Sequence, residues 1–544
     1  MIKRSLLSAS ITLAALALVQ QASAAPLLPI DARGLAMGGT GVASAKLAHA
    51  PQYNPALLST ANDEDDFAII FPQFGIIAAD EDEFIDTAQG LTEDDYKNFD
   101  ESLIDHFTTI TEDLADELDL LETQITNLDN LATADFKDLS TSEINAISAQ
   151  TTSLEASLGD FTSGTADLKS TTFDLTSEFS NLSASGVRVN AGLNATIAIP
   201  SKSFGAAISF NNNVMASGRT IFSEEDQALI NAYAEGVDEY SNLTQEYVSA
   251  TNELIDSVAA FQNSPSNPAA AEAIVDLNQE AVDAKKAELD AYEKLVNGQA
   301  IISTDGSGGI TVNEEPDLTS LAHVIAIAIS ELGITLSHSF DIAGHDIAIG
   351  ITPKMQIIKT FNYVTLLEND EDIDEEALKE TEQDFSDFNL DAGIAYQFGG
   401  SKQWQVGLVA KNLLSKEYEA ESNVYGPDLE VQKTTISLDT QFRSGISHTT
   451  DWSVVAIDVD LMENDPVAFE APTQYASIGA ELDLFDLFQL RGGYRTNLSV
   501  DDASMVSAGL GFSPFGVHVD LAAMANPSDP EKELGVAMEL GFYF

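Results

Sequence analysis

Residues 534–544 at the C-terminal end constrain the fold more than any other stretch of the chain. Apolar side chains stand at every second position, with small, acidic or phenolic residues between them: Leu534, Val536, Met538, Leu540, Phe542 and Phe544. A strict period of two predicts a β-strand with one apolar face and one polar or small face. Such a strand fits a soluble β-sandwich as well as a membrane barrel, so the rest of the chain has to decide between them.

The same alternation recurs throughout the C-terminal half, at residues 347–351, 455–461, 476–484, 506–512 and 517–521. Short connections are predicted near Ser201, Ala343, Ser401, Thr449, Asp486 and Ser513. Long connections alternate with them, at two helical inserts and at residues 368–387, 421–428, 463–472, 499–503 and 526–532. An even number of strands, about fourteen, with all short turns on one side is typical of transmembrane barrels.

Charged residues occupy the predicted inward positions of the late strands. They include Asp458, Asp460, Glu481, Asp483, Arg491, Arg495, His518, Asp520 and Glu539. In the dry core of a sandwich these charges would be costly, whereas in a water-containing lumen they pair or stay hydrated. We therefore predict an all-β transmembrane barrel of about 14 antiparallel strands. Its candidate lumen-facing residues are Arg491, Arg495, His518, Asp520 and Glu539.

The phase of the alternation changes once within a predicted strand. Ile325, Ile327 and Ile329 occupy odd positions, but after Ser330 and Glu331 the apolar residues occupy even positions: Leu332, Ile334 and Leu336. A β-bulge adds one residue to a strand and shifts its phase in this way. The sequence therefore predicts a bulge at residues 330–331.

Two stretches, at about residues 91–183 and 224–298, interrupt the β pattern with a helical period. Their apolar residues recur at intervals of three and four, and Ser140-Thr141-Ser142-Glu143 is a capping-box pattern at a helix start. We predict two inserted α-helical coiled-coil hairpins on the outer side, where the long connections lie.

The N-terminal residues predict export. Lys3 and Arg4 precede an apolar stretch at residues 6–19, and Ala22-Ser23-Ala24 follows, which is the pattern of a signal peptide cleaved near Ala24. No later apolar run reaches the ~18 residues that a membrane-spanning helix needs.

The glycine-rich residues 25–61 predict a hatch or plug segment threaded into a tight space, and residues 62–544 would form the barrel with its inserts. A soluble periplasmic protein is the alternative.

Composition and motifs exclude several functions. The formal net charge of -64 argues against nucleic-acid binding, and the absence of cysteine excludes disulfides and thiol chemistry. Neither a GxSxG, an HExxH nor a Walker A motif occurs, and the seven histidines are scattered. We therefore expect no enzyme activity, no catalytic residues, no cofactor and no metal site.

Two segments carry a resemblance to known families. Residues 31–45 (DARGLAMGGTGVASA), with Asn54-Pro55-Ala56, resemble the N-terminal signature of FadL/TodX-type outer-membrane proteins. Residues 490–497 and 511–518 resemble a barrel family of marine gammaproteobacteria labelled "conjugal transfer protein TraF". The resemblance implies a fourteen-stranded barrel with a hatch, and import of long-chain fatty acids or aromatic hydrocarbons. The implied hatch motif is Asp31, Arg33, Gly38, Gly39, Gly41, Asn54, Pro55 and Ala56.

The sequence leaves two functions open. One is a FadL-like channel or transporter for small molecules, hydrophobic ones included. The other is a surface scaffold, adhesion or conjugation-related protein that acts through its helical inserts. Both place the protein in the outer membrane of a Gram-negative bacterium, in contact with membrane lipid and lipopolysaccharide. The resemblance also implies that the barrel-assembly machinery reads a C-terminal signal formed by Leu540, Phe542 and Phe544.

Overall fold

The computed structural model describes most of the chain in several ranges: residues 30–61, 66–80, 139–183, 186–263, 268–304, 310–313, 319–366, 375–421, 423–425, 430–432, 434–465, 469, 471–500 and 503–543. The predicted signal peptide, the first arm of the first helical insert and Phe544 lie outside these ranges. The chain divides into two compact units. We call residues 87–181 and 222–320 the insert unit, and residues 2–86, 182–221 and 321–544 the barrel unit.

The described α-helices, in chain order, are α1 Ala32–Ala36, α2 Ala50–Tyr53, α3 Thr141–Leu182, α4 Glu224–Gln262, α5 Pro268–Asp290 and α6 Glu375–Glu380. The described strands are β1 Ala68–Ala79, β2 Val187–Ile199, β3 Phe204–Ile221, β4 Glu293–Val296, β5 Gln299–Thr304, β6 Ile310–Val312, β7 Leu321–Ile342, β8 His345–Leu366, β9 Gln383–Phe398, β10 Trp404–Lys411, β11 Lys416–Glu419, β12 Asn423–Tyr425, β13 Glu430–Gln432, β14 Thr435–Leu438, β15 Gln441–Thr449, β16 Ser453–Asp460, β17 Tyr475–Leu484, β18 Phe488–Asn497, β19 Ser504–Phe512, β20 Val517–Ala525 and β21 Glu533–Tyr543. No helix in these ranges is long and apolar enough to cross a membrane.

The barrel unit is a closed sheet of fourteen antiparallel strands, which confirms the predicted barrel and its number of strands. Its strand order is β1-β2-β3-β7-β8-β9-β10-β15-β16-β17-β18-β19-β20-β21. The two ends of this order pair with each other, from Ala68 opposite Tyr543 to Ala79 opposite Glu533. The register shifts between Ile70 and Gln73, around Pro72, which has no backbone N–H for the ladder. Closure leaves this sheet without an unpaired edge.

Side chains alternate between the two faces of the barrel wall, as the period of two requires. On β21, Leu534, Val536 and Met538 are 46–51% exposed, whereas Glu539 is 1% exposed. Outward apolar residues on the other strands continue this band around the barrel, including Ile197, Ile349, Ile457, Ile478 and Leu521. Aromatic side chains project at three of the short connections: Trp452, Phe485 and Phe515.

Strand β7 corrects one prediction. It pairs with β3 in an uninterrupted register, from Leu321 opposite Ile221 to His338 opposite Phe204, so the predicted bulge at residues 330–331 is absent. The phase changes because the apolar side chains lie on the inner face in the first part of the strand and on the outer face in the second part. Ile325, Ile327 and Ile329 are buried on the inner face, whereas Leu332, Ile334 and Leu336 are exposed on the outer face. The inner isoleucines pack with Ile358, Tyr418, Ile436 and Leu438 in an apolar cluster.

The insert unit has a hydrophobic core of its own, formed by α3, α4, α5 and residues of the small β4-β5-β6 sheet. The predicted capping box is present at the start of α3, where the Ser140 N–H donates to Glu143 Oε2 at 2.7 Å. The sequence pattern predicts that helix α5 has an apolar stripe formed by Ile274, Leu277, Ala281, Ala284, Ala291 and Leu295, and the structure differs from it. The buried residues of α5 are Val275, Val282 and Leu289, while Ile274 and Leu277 are exposed. Leu295, placed in this helix by the sequence pattern, lies in β4.

Candidate functional site

The segment of residues 30–61, which we call the hatch, packs against the inner face of the barrel wall. Helix α1 contacts β1 and β18 to β21, and the 3-10 helix Pro55–Ser59 contacts β3, β7, β8 and β9. Most of its side chains are buried, including charged ones such as Asp31 and Arg33. The hatch therefore fills part of the lumen, and the contacts that hold it there form the candidate site.

Glycines of the wall make room for the hatch. A Cβ atom added at any of seven inner-face glycines would lie 2.0–2.4 Å from a hatch atom. This is too close for non-bonded atoms, so the hatch or the wall would have to shift. We call this set the glycine ring: Gly75, Gly350, Gly393, Gly407, Gly479, Gly493 and Gly509. Gly350 pairs with Gly393, and Gly479 with Gly493, on neighbouring strands. This ring was not predicted from the sequence. The sequence pattern that could have indicated the ring is a glycine at the inward position of one strand after another. Such glycines mark places where another backbone approaches the strand closely.

The glycines of the hatch motif allow the same close approach from the other side. Gly38 and Gly39 have φ angles of 69° and 88°, a region that favours glycine. A Cβ on Gly38 would lie 2.8 Å from the carbonyl oxygen of Tyr494. The Gly41 and Val42 N–H groups both donate to Asp458 Oδ2, at 2.7 and 2.9 Å. The turn is thus attached to the wall through its backbone N–H groups.

Asn54, Pro55 and Ala56 form a second anchor. Asn54 Oδ1 accepts from the Ala56 N–H and caps the following 3-10 helix, while its Nδ2 donates to the carbonyl oxygens of Val42 and Ile394. The Ser337 hydroxyl donates to the Ala56 carbonyl at 3.0 Å. One asparagine side chain therefore joins two parts of the hatch to strand β9.

An ion-pair network joins the hatch to the late strands. Arg33 Nε lies 3.0 Å from Glu481 Oε2, and Arg491 contacts both Glu481 and Asp520, at 2.6 and 2.5 Å. Lys46 also lies 3.4 Å from Glu481. Buried charges at such positions are stable only when paired. The structure thus brings the predicted motif residue Arg33 together with two predicted lumen-facing residues, Arg491 and Asp520.

The remaining predicted residues lie elsewhere. Arg495 pairs with Glu533 at 2.9 Å, outside the network. The His518 ring lies against Tyr543, with ring centroids 4.3 Å apart. Leu540 and Phe542 are partly buried on β21. Their role as an assembly signal stays a prediction.

A fourth contact between hatch and wall is a cluster that was not predicted from the sequence. His49 Nε2 lies 2.9 Å from Glu539 Oε2 and 3.7 Å from Asp31 Oδ1, and we call these three residues the hatch triad. The Tyr53 hydroxyl donates to Asp31 Oδ2 at 2.5 Å. Burial alone would lower the pKa of His49, but the carboxylates of Glu539 and Asp31 outweigh it and raise this pKa.

A cavity of about 110 Å³ lies between the hatch and the wall. Its lining is rich in amides, including Asn190, Asn194, Asn211 and Asn213 from β2 and β3. Lys354 also lines it, held by Glu331 at 2.9 Å and by Asp391 at 3.0 Å. Met215 and Ile329 also line it, and they lie beside Asn190 and Asn213 on neighbouring strands. The cavity can therefore offer both hydrogen bonds and apolar contacts.

Searches for similar solved structures find hydrocarbon channels at low similarity. The toluene transporter TbuX of Ralstonia pickettii is 8% identical, with 95% of this chain and 99% of that chain covered and a TM-score of 0.44. The toluene transporter TodX of P. putida is 9% identical, with the same coverage and a TM-score of 0.39. At these values the likeness carries no conclusion for this chain. No curated protein matches it.

A protein-family model gives a closer assignment. The model described as "F plasmid transfer operon, TraF, protein" matches residues 51–460, which is more than half of the chain. The match begins within the hatch and extends through both helical inserts to the end of β16. The chain belongs to this TraF family.

Proposed function

We propose that the protein is an outer-membrane channel through which small molecules pass when the hatch moves. The carrying observation is the distribution of polarity across the closed wall. Apolar side chains such as Ile457, Ile478 and Leu521 are 45–55% exposed on the outer face, while Glu481, Arg491 and Asp520 are buried on the inner face. A closed barrel with an apolar outside and a polar inside suits a lipid bilayer.

The hatch and the cavity support a gated passage. The hatch occupies the lumen beside the glycine ring, and the cavity lies along its edge, at Ile30 and Gln52. A pure hydrocarbon entering the cavity would remove water from amides such as Asn190 and Asn194 without replacing their hydrogen bonds. Each such loss costs about 1–3 kcal/mol. We therefore favour small solutes with hydrogen-bonding groups over pure hydrocarbons, although the sequence resemblance points to the latter.

Fractionation and reconstitution test this proposal. We expect the protein to sediment with outer membranes and to shift in gel mobility on heating. Proteoliposomes should swell in L-arabinose, more so for a variant that lacks residues 30–61, and toluene should not compete. A protein that stays in the soluble fraction, or proteoliposomes that remain impermeable even without the hatch, would refute a channel.

The insert unit favours a second candidate, a surface scaffold with a role in conjugation or adhesion. Its three long helices share a core that includes Leu154, Tyr240, Leu254, Val258 and Val275, so they form a folded body rather than a loose loop. The name of the family refers to plasmid transfer. We infer that this body presents a surface to a partner, as an alternative to the channel.

Replacing the insert tests the scaffold. Ala79 is paired with Arg188 on β1 and β2, and Ile221 with Leu321 on β3 and β7, so two-residue turns can replace residues 80–187 and 222–320 and remove the whole insert unit. If the insert binds a partner, mating or adhesion should fall while barrel assembly and arabinose permeability persist. Unchanged mating and adhesion would count against the scaffold and leave the channel untouched.

A further inference from the structure

We propose that the hatch triad of Asp31, His49 and Glu539 is a binding site for one divalent transition-metal ion, with Zn²⁺ as the probe. The three side chains come from two positions in the hatch and one in the wall strand β21. One donor atom from each lies within 4.8 Å of the other two. The sequence predicted no metal site, because these residues are far apart along the chain and match no spaced motif.

The donor set and its spacing suit such an ion. An imidazole nitrogen with two carboxylate oxygens is a common zinc ligand set, with bonds of about 2.0–2.2 Å. Ligand atoms around such an ion are roughly 3–3.5 Å apart. The observed distances from His49 Nε2, 2.9 Å to Glu539 and 3.7 Å to Asp31, lie on either side of that interval. Shifts of a few tenths of an ångström would bring both distances from His49 into that interval, and the donor atoms of Asp31 and Glu539 lie within 4.8 Å of each other.

Charge is the second reason. All three side chains are at most 2% exposed, so water does not screen them. With a neutral imidazole the site carries two negative charges, and with a protonated imidazole it still carries one. The nearby cation Arg33 is directed to Glu481. A divalent ion bound by neutral His49 would balance both carboxylates.

An unpartnered oxygen is the third reason. Oε1 of Glu539 is buried and has no hydrogen-bond partner among the described residues. Leaving a charged acceptor in this state is costly, and a cation bound by both carboxylate oxygens of Glu539 would satisfy it. The other carboxylate oxygens are already oriented by donors. Gly34 N and Tyr53 Oη hold Asp31 at 2.6 and 2.5 Å, and Gln73 Nε2 holds Glu539 Oε2 at 2.9 Å.

Such outer contacts orient ligands in metal sites. Because Glu539 belongs to the last strand and the other two ligands to the hatch, the ion would fasten the hatch to the wall. This inference does not depend on the channel proposal, since a hatch can be fastened in a barrel of any function.

Calorimetric titration of the full chain, purified without a polyhistidine tag and stripped with EDTA, tests the site. We expect one Zn²⁺ per chain and a higher melting temperature on addition of the ion. Asp31→Asn and Glu539→Gln should each weaken binding at least tenfold. Glu533→Gln is the matched control, because Glu533 is a buried carboxylate on the same strand with Arg495 as its partner. This control should bind Zn²⁺ as the native protein does.

Two outcomes would overturn the site. One is a native protein that binds no Zn²⁺ with saturable one-to-one stoichiometry, a result that needs no variant to fold. The other is binding that survives in the Asp31→Asn, Glu539→Gln double variant, which would place the ion elsewhere. A pH series adds an independent readout. Zn²⁺ affinity should fall at low pH, because the ion needs His49 in its neutral form.

Discussion

Oδ2 of Asp458 lies 2.7 Å from the backbone nitrogen of Gly41. Residues 417 positions apart are joined by this bond, one on the wall strand β16 and one in the glycine-rich turn of the hatch. The same oxygen accepts from Val42, so a single carboxylate satisfies two adjacent backbone donors of the turn. Asp458 is therefore a main attachment point of the hatch.

Asp458→Ala should loosen the hatch, because it leaves two buried N–H groups unpaired. We expect a loss of roughly 2–4 kcal/mol of stability and a higher permeability of proteoliposomes to arabinose. Asp458→Asn retains an acceptor oxygen, so its stability and permeability should lie between those of Asp458→Ala and those of the native protein. Asp451→Ala, at an exposed position in the preceding turn, serves as the control. Equal stability of the two alanine variants would contradict this role.

Gly350→Val should prevent the hatch from seating. A Cβ at this position would lie 2.3 Å from the backbone carbon of Pro55, and the hatch backbone cannot move aside as a flexible side chain could. We expect faster proteolysis within residues 30–61 and a lower melting temperature. Gly400→Val is the matched control, since a Cβ there meets nothing within 4 Å. A protected hatch in Gly350→Val would show that the close contact is not required.

Asp226→Ala should destabilise the insert unit where the second insert begins and ends. The Asp226 carboxylate accepts from the Thr319 N–H and hydroxyl, at 2.9 and 3.0 Å, and from the Ser320 N–H, at 2.6 Å. It thereby joins the first and last residues of the second insert. Loss of these bonds should cost roughly 3 kcal/mol and accelerate limited proteolysis of the insert. The exposed neighbour Glu225 provides the control, and equal digestion of Glu225→Ala and Asp226→Ala would refute the effect.

The metal-free protein should lose stability as pH rises. The groups that face His49 are Glu539, Asp31 and Arg33, and together with burial they leave its pKa above the ordinary value of 6.5. A raised pKa in the folded state means that protonation stabilises the fold. This stabilisation is complete below pH 6.5 and is lost as pH rises through the raised pKa. Melting of EDTA-treated protein between pH 5.5 and 9 measures it.

His49→Gln should flatten that profile, because glutamine does not titrate. Zn²⁺-loaded native protein should show the opposite trend, with stability kept at high pH and lost at low pH as His49 releases the ion. A native profile that does not change on addition of EDTA or Zn²⁺ would speak against both roles of His49.

Much of the fold could be predicted from the sequence alone, because its signals come from residues close together in the chain. The period of two in β21 specifies which side chains share a face, and Leu534 and Glu539 take the predicted sides. The capping box at Ser140 and Glu143 is a local hydrogen-bond pattern, and it forms as predicted. The alternation of long and short connections was sufficient to predict fourteen strands.

The tertiary structure alone decided what the hatch meets. Asp31 and Glu539 come together only when the hatch packs against β21, and no local pattern marks that contact. The same holds for the glycine ring, whose members are single residues on seven strands. Strand β7 shows what the sequence alone could not decide. Its change of phase is explained equally well by an inserted residue and by a change in which face of the strand carries the apolar side chains. Pairing with β3 decided between them, since a register belongs to two strands and not to one.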